Sequence, residues 1–199
     1  MKKILFILIS SILLTACYAP QNYFRAVEHT YDEVKQEKLS KYEMDAKAVS
    51  IWKKSSPYFV HLTWLHKEKT GVHQNNIGIF FDLERDKKVE DTLYFVLSEK
   101  IYPVAVSQIF YEPKEVMKTR TETEVVKPED KKEKEKIITD VHTHSFVLNR
   151  VKIKAEIPQT VIEELKRQKK MKIRLYIEEQ AYDIKIPSLL MKKIKKIFN

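Results

Sequence analysis

The sequence predicts a mainly β protein of the β-rich α+β class: an antiparallel β-sandwich or strongly curved sheet with two short C-terminal helices. Apolar and polar residues alternate with a period of two through most of the chain from about residue 43, which is typical of half-buried strands. No long stretch before residue 158 keeps the 3.6-residue period of a helix. Hydrophobic residues make up 43% of 199 residues, enough for one buried core.

The first five or so strands are predicted to form a meander that ends near residue 112. Residues 49–52 belong to the first strand, and the stretch PYFVHLTWLHKE carries apolar residues on both faces, as a central strand does. The stretches NIGIFFDLER and DTLYFVLSEKIYPVAVSQIFY follow, and a turn at residues 98–100 divides the second of them. Large aromatic side chains in these strands are predicted core residues, namely Trp52, Trp64, Phe80 and Phe81.

A charged hairpin around residues 114–149 is predicted to protrude from the domain. Its outgoing strand, KEVMKTRTETEVVK, alternates threonines with charged residues, so neither face can join a core. The run PEDKKEKEK, at residues 128–136, has charges of both signs and predicts a solvated tip. The return strand is IITDVHTHSFVL, and the half-buried strand RVKIKAEI follows it.

The C-terminal quarter adds two helices and a hairpin. Pro158 is predicted to start a short helix in which Thr160 and Glu163 have the spacing of a capping box. The stretches MKIRLYIEE and AYDIKIP then alternate as the two strands of a hairpin. Ser188 is expected to cap a last helix, LLMKKIKKIF. Both helices are expected to cover an end or an edge of the sheet.

The last helix is amphipathic. Its apolar side carries Leu190, Met191, Ile194, Ile197 and Phe198, and its polar side carries Lys192, Lys193, Lys195 and Lys196. We expect the apolar side to pack on the sheet and the lysines to face water. The alternative is that the helix lies on an anionic membrane surface.

The first residues resemble a secretory signal peptide. Lys2 and Lys3 precede an apolar run at residues 4–14, and small residues follow it. This run is shorter than the about 20 residues that a membrane-spanning helix needs. We therefore expect residues 1–16 to be removed rather than to remain as a transmembrane anchor.

The sequence Leu14-Thr15-Ala16-Cys17 contains the only cysteine and resembles the lipobox of bacterial lipoproteins. The resemblance implies cleavage between Ala16 and Cys17 and attachment of lipid, with acyl chains such as palmitate, to the Cys17 sulfur. The polar and charged residues that follow predict a lipidated tether at residues 17–42, and the alternating pattern beyond them predicts a single domain at residues 43–199. Tyr18 follows where inner-membrane retention uses an aspartate, which favours the outer membrane or the cell surface. The C-terminal helix, hairpin and helix loosely resemble small β-rich envelope lipoproteins, which implies a fold type and no activity.

No catalytic residues and no cofactor are predicted. Two glycines are too few for a Gly-rich phosphate loop, and neither a Gly-x-Ser-x-Gly nor a His-Glu-x-x-His motif is present. Lipidation of Cys17 would leave no free thiol and no disulfide. The carboxylate pairs Glu163-Glu164 and Glu178-Glu179 are assigned to a helix start and a hairpin turn, without an apolar pocket to raise a pKa.

The best candidate for chemistry is the stretch DVHTHSF. On a strand, Asp140, His142 and His144 share one face, where they could bind zinc or copper. A catalytic zinc needs a third protein ligand, and His61, His66 or His73 would have to supply it. We expect instead an exposed strand beside the charged hairpin tip, without bound metal.

These observations favour a non-catalytic binding or structural module that is held in the cell envelope by lipid on Cys17. The formal net charge of +9 favours anionic neighbours. An envelope protein or an anionic polymer is the expected partner besides the membrane, and nucleic acid is not expected. One alternative is a metal-binding protein or metal-dependent hydrolase that uses His142 and His144. The other is a binder of anionic envelope polymer or of the membrane surface through Lys192, Lys193, Lys195 and Lys196.

Overall fold

The computed structural model describes residues 25–52, 57–126 and 136–198. Within them the chain forms nine strands and two helices, in the order β1 (Glu28–Asp32), β2 (Glu37–Ser50), β3 (Tyr58–Lys69), β4 (Val72–Glu84), β5 (Thr92–Leu97), β6 (Lys100–Val126), β7 (Lys136–Glu156), α1 (Gln159–Arg167), β8 (Met171–Ile177), β9 (Gln180–Ile186) and α2 (Ser188–Ile197). The predicted mainly β class with two short C-terminal helices is confirmed.

The antiparallel sheet closes on itself. Its strand order is β1-β2-β3-β4-β7-β6-β5-β8-β9, and β9 also pairs with β2, so eight strands form a closed ring. At the closing seam, residues 48–50 of β2 pair with residues 182–184 of β9, while β1 pairs with the earlier part of β2. The expectation of a β-sandwich or a strongly curved sheet is therefore corrected, since the sheet closes. Alternation of period two is common to all three architectures, and only the pairing of distant strands separates them.

One core fills the inside of the ring. Trp64 lies at its centre, with the rings of Phe95 and Phe198 packed nearly at right angles at 6.3 and 6.4 Å. Burying a large apolar side chain stabilises the fold by roughly 1.5–3 kcal/mol. Trp64 and Phe81 are buried as predicted, and Phe80 is half-buried. Trp52 is 78% exposed, because it follows the end of β2 and lies outside the ring, so its assignment to the core is wrong.

Both helices lie at the same end of the ring. Helix α1 leads into Met171 of β8, which pairs with Ile186 of β9, the residue before the turn into α2. Their apolar faces join the core through Val161, Ile162, Leu165, Leu190, Met191, Ile194 and Ile197. The expectation that the apolar side of α2 packs on the protein itself is thus confirmed.

The helices start on prolines rather than on capping side chains. Pro158 and Pro187 occupy the N-cap positions, and neither helix has a side-chain capping hydrogen bond. The predicted capping box of Thr160 with Glu163 and the predicted Ser188 cap are wrong. The ring of proline fixes φ at a value that an N-cap residue can adopt. Each helix therefore begins at the residue after its proline, without a capping side chain.

The sheet begins at Glu28, within the stretch predicted as a tether. Strand β1 and the first part of β2 are polar, and charges of β2 pair with charges of β3. The Lys67 ammonium lies 3.0 Å from the Glu37 carboxylate, and the Lys38 ammonium lies 3.5 Å from that of Glu68. Strands at this edge of the sheet are polar on both faces. Their composition therefore resembles that of a linker, although they are paired in the sheet.

The loop at residues 85–91 crosses the end of the ring opposite the helices. Val89 forms a bridge with Ile177 at the end of β8, and the amide of Glu90 donates to the carbonyl of Tyr176 at 3.0 Å. The amide of Val89 also donates to the Tyr111 hydroxyl at 2.9 Å. The loop thus joins the far end of β8 to β6.

Candidate functional site

Strands β6 and β7 continue beyond the rest of the sheet. Strand β4 pairs with β7 only as far as Leu148, and β5 pairs with β6 only as far as Ala105. The β6–β7 ladder runs on to the pairing of Val126 with Lys136. We call residues 115–126 and 136–147 the ribbon. At about 3.4 Å per residue the ribbon extends about 40 Å from the end opposite the helices. The charged tip predicted between these strands lies outside the described residues, apart from Lys136.

One face of the ribbon continues the outer surface of the ring. Directly paired residues share a face, and on this face Val116 lies opposite Phe146, Lys118 opposite His144, and Arg120 opposite His142. Phe146 is 41% exposed. Cationic side chains therefore follow an exposed apolar patch along this face.

The other face of the ribbon continues the inner surface of the ring but has no core to cover it. It carries Met117, which is 75% exposed, together with the exposed side chains of Val141 and Val147. The hydroxyls of Thr119 and Thr143 lie 3.3 Å apart across the two strands. An isolated two-stranded hairpin is marginally stable in water. Packing of the core therefore does not account for the formation of so long an exposed ribbon.

The predicted metal candidates lie on the ribbon. His142 and His144 are exposed on its outer face, as the alternation predicts, and the side chain of Asp140 is outside the described part. Their cross-strand neighbours are the cations Arg120 and Lys118, which disfavour a bound metal cation. No three His, Cys, Asp or Glu residues of the described chain are grouped so that they could hold a metal ion.

The three histidines considered as a further ligand have partners away from the ribbon. The Nδ1 of His61 lies 2.8 Å from the Asp45 carboxylate. The Nδ1 of His66 lies 2.6 Å from the Asn75 side-chain oxygen, and its ring stacks on His73 at 5.4 Å. All three lie on β3 and β4. The fold therefore does not bring them to His142 and His144.

A buried ion cluster lies beside the closing seam. Asp183 is 7% exposed, and the Arg174 guanidinium donates to its two carboxylate oxygens at 2.8 and 3.3 Å. The Lys172 ammonium is 3.4 Å away. Burial by itself would raise the pKa of Asp183, but the hydrogen bonds and positive charges of Arg174 and Lys172 outweigh burial and lower that pKa. This cluster links β8 to β9 and keeps Asp183 ionised within an ion pair.

An open cleft of about 530 Å³ lies where β8 turns into β9, lined by Trp52, Lys87, Ile177, Glu178, Glu179, Gln180 and Tyr182. The predicted carboxylate pair Glu178-Glu179 lies in its wall, at the hairpin turn as expected. The Gln180 side-chain amide donates to the Ser50 hydroxyl at 2.5 Å. The described lining contains no His, Ser, Thr or Cys.

The lysines of α2 differ in their surroundings. Lys192 and Lys196 are exposed, and Lys193 and Lys195 are half-buried. The Lys193 ammonium donates to the carbonyl oxygen of Arg25 at 2.6 Å and lies 5.7 Å from the centre of the Tyr42 ring. The first described residue of the chain is therefore held against α2. No helix in the described ranges is long and apolar enough to cross a membrane.

Comparisons with protein-family models, with curated proteins and with solved structures find no match to this chain. The predicted cleavage and lipidation residues, Ala16 and Cys17, lie outside the described residues. The sequence did not indicate the cleft around Trp52. An aromatic residue within an alternating pattern looks the same whether its side chain lies inside the ring or on its surface. The run of alternating threonines and charges did signal an exposed strand.

Proposed function

We propose that this chain is a lipid-anchored protein of the bacterial cell envelope whose β-rich domain acts as a non-catalytic binding or structural module. The observation that carries the proposal is Leu14-Thr15-Ala16-Cys17, an aliphatic residue and two small residues before the only cysteine, at the end of a short apolar run. Residues 1–16 are the cleaved signal peptide, and Cys17 carries the lipid. Two or more acyl chains hold a protein stably on a membrane, whereas one holds it only marginally.

The position of Arg25 supports an orientation for the anchored domain. Only residues 18–24 separate it from Cys17, so the lipid attachment point lies at most about 28 Å from Arg25. The contact of Arg25 with Lys193 supports an orientation in which the proposed anchor is on the α2 side of the domain. The ribbon leaves the end of the ring opposite the helices. In this orientation the helices are near the bilayer and the ribbon extends away from it.

The ribbon supports a role in binding or assembly. It presents exposed apolar side chains beyond the end of the ring, with Met117 and Val147 on one face and Phe146 on the other. Exposed apolar residues that are grouped on a projecting element mark surfaces of interaction more often than isolated ones do. A module that is anchored at one end and exposes such a surface at the other fits an envelope protein that reaches a partner.

A second candidate function is contact with anionic lipid or envelope polymer through α2. The contact between Lys193 and Arg25 favours it, because it keeps the exposed Lys192 and Lys196 on the side of the anchor. Each basic residue near an anionic membrane surface contributes about 1 kcal/mol. This interaction would supplement the lipid rather than replace it.

The proposal is tested by the full chain carrying Cys17→Ser. We expect the native chain to sediment with membranes and to incorporate labelled palmitate, and Cys17→Ser to lose the label and to leave the membrane fraction after washing at high salt. A Thr15→Ser variant keeps a small residue before the cysteine and is the matched control, which should behave as the native chain does. A Cys17→Ser chain that stays membrane-bound would contradict the proposal.

A further inference from the structure

Strand β6 has one edge that no described strand covers. From Gln108 to Val126 its pairing partner is β7, and β5 pairs with the opposite edge only up to Ala105. Such an edge presents backbone donors and acceptors to any second strand, and folded proteins pair it, cover it or protect it with charge. The ribbon therefore offers a template for strand addition along its β6 side.

The order of charges on this edge strand is antisymmetric. Residues 118–124 read Lys-Thr-Arg-Thr-Glu-Thr-Glu, with two cations before Thr121 and two carboxylates after it. The threonines occupy the alternate positions, which lie on the other face of the strand. When this segment runs in the opposite direction, its two carboxylates come first and its two cations follow.

Two such strands that meet antiparallel with Thr121 opposite Thr121 place every charge opposite its complement. Lys118 then lies opposite Glu124 of the second copy, and Arg120 lies opposite Glu122 of the second copy. The twofold axis repeats both pairs, and Thr119 lies opposite Thr123 of the second copy. Opposite charges and threonine pairs at directly opposed positions both stabilise a sheet.

The pairing inside one copy has a different order of side chains. There the register sets His144 opposite Lys118 and His142 opposite Arg120. The positions directly opposite these two cations are therefore histidines inside one copy and carboxylates between two copies.

We propose that β6 pairs with β6 of a second copy of this chain, with the twofold axis at Thr121. The two ribbons form one four-stranded sheet in the order β7-β6-β6-β7, which exceeds the three strands that independent stability requires. The interface is isologous, so it closes at two copies. It does not depend on the lipid at Cys17, although an anchor that holds both copies in one membrane would raise their effective concentration.

The test is disulfide formation in the full chain carrying Thr121→Cys, oxidised with copper phenanthroline in whole cells and resolved on a non-reducing gel. In the proposed register the two residues 121 lie about 5 Å apart, within the range that a disulfide spans. The two residues 119 lie about 14 Å apart, so Thr119→Cys is the matched control. The parent chain, which keeps Cys17, sets the background. We expect a reducible dimer from Thr121→Cys alone.

Complementary charge variants test the register independently of any folding defect. In the Thr121→Cys chain, Lys118→Glu with Arg120→Glu makes the edge acidic, and Glu122→Arg with Glu124→Lys makes it basic. Each variant alone should cross-link about tenfold less than the parent, since four complementary pairs become repulsive. Acidic and basic chains made together, and distinguished by a tag, should restore the dimer as a heterodimer.

Three results would overturn the proposal. In the first, Thr121→Cys cross-links no more than Thr119→Cys and the parent do. In the second, the variant His142→Cys forms the dimer while Thr121→Cys does not, which would place the interface on the β7 edge. In the third, Thr121→Cys joins a different protein. Loss of lipidation with retained cross-linking would refute the anchor and leave this interface standing.

Discussion

The substitution Asp183→Asn tests the ion cluster beside the closing seam. Asp183 is nearly buried and accepts two hydrogen bonds from Arg174. Removal of one partner of a fully buried ion pair costs about 3–5 kcal/mol. Because Arg174 and Lys172 remain partly exposed to solvent, which can hydrate them, we expect a smaller loss in the free energy of unfolding of about 1.5–3 kcal/mol.

The same cluster makes stability depend on pH in a defined direction. Although burial raises it, the hydrogen bonds and positive charges of Arg174 and Lys172 hold the pKa of Asp183 below its ordinary value in the folded protein. A carboxyl with a lowered folded-state pKa contributes its full stabilisation above its unfolded pKa and loses it as pH falls through the folded value. The difference between the native chain and Asp183→Asn should therefore be constant from about pH 7 to pH 5 and decrease below about pH 4.

The assay is urea denaturation of the full chain in detergent, followed by tryptophan fluorescence. Trp64 is buried and shifts on unfolding, whereas Trp52 is already exposed and changes little. Glu112→Gln is the control, since its pair with Lys152 is exposed and should contribute at most about 1 kcal/mol. A loss for Asp183→Asn below about 0.5 kcal/mol at pH 7, or a difference that persists unchanged at pH 3, would refute the reasoning.

Three further predictions concern packing, backbone and charge. Ile194→Ala removes a buried α2 side chain and should destabilise the fold by about 2–5 kcal/mol in the same urea assay. Gly71→Ala should cost about 1 kcal/mol in thermal unfolding, because Gly71 has φ +79° while nothing lies within 4 Å of the added carbon. Lys192→Gln with Lys196→Gln in the Cys17→Ser chain should weaken flotation with anionic vesicles by about 1 kcal/mol per lysine.

Each of these predictions has a control in the same chain. Leu189 is an exposed neighbour on α2, and Leu189→Ala should change stability by at most about 0.5 kcal/mol. If Gly71→Ala is as stable as the native chain, the strain assigned to this turn is absent. Arg85→Gln with Lys88→Gln removes two exposed charges from the loop at the opposite end. An equal loss of vesicle binding from this pair would contradict a role for α2.

The class of the fold could be predicted because alternation is local. Residues such as Ile153 and Ile173 alternate with charges, and each is buried where the pattern places it. Closure could not be predicted, because the pairing of Ala48 with Ile184 joins segments far apart in the chain. Trp52 was misassigned because periodicity cannot tell where a strand ends.

The candidate surfaces were predictable to a similar degree. The shared face of His142 and His144 follows from period two alone, and so does the exposure of the Lys118–Thr121 segment. The Arg174–Asp183 pair needed the register of β8 with β9, which sequence does not supply. The polar strand at Glu37 resembled a linker because its ion partners lie on β3.

The closing seam sets the order in which the chain can fold. Ile184 lies near the C-terminus, and its partner Ala48 is in the second strand. When the chain emerges N-terminus first, residues 48–50 of β2 lack their β9 partner until almost all of the remaining residues have appeared. Folds dominated by such non-local contacts form slowly. A polypeptide threaded N-terminus first through a membrane would consequently complete its core only after nearly its whole length had crossed.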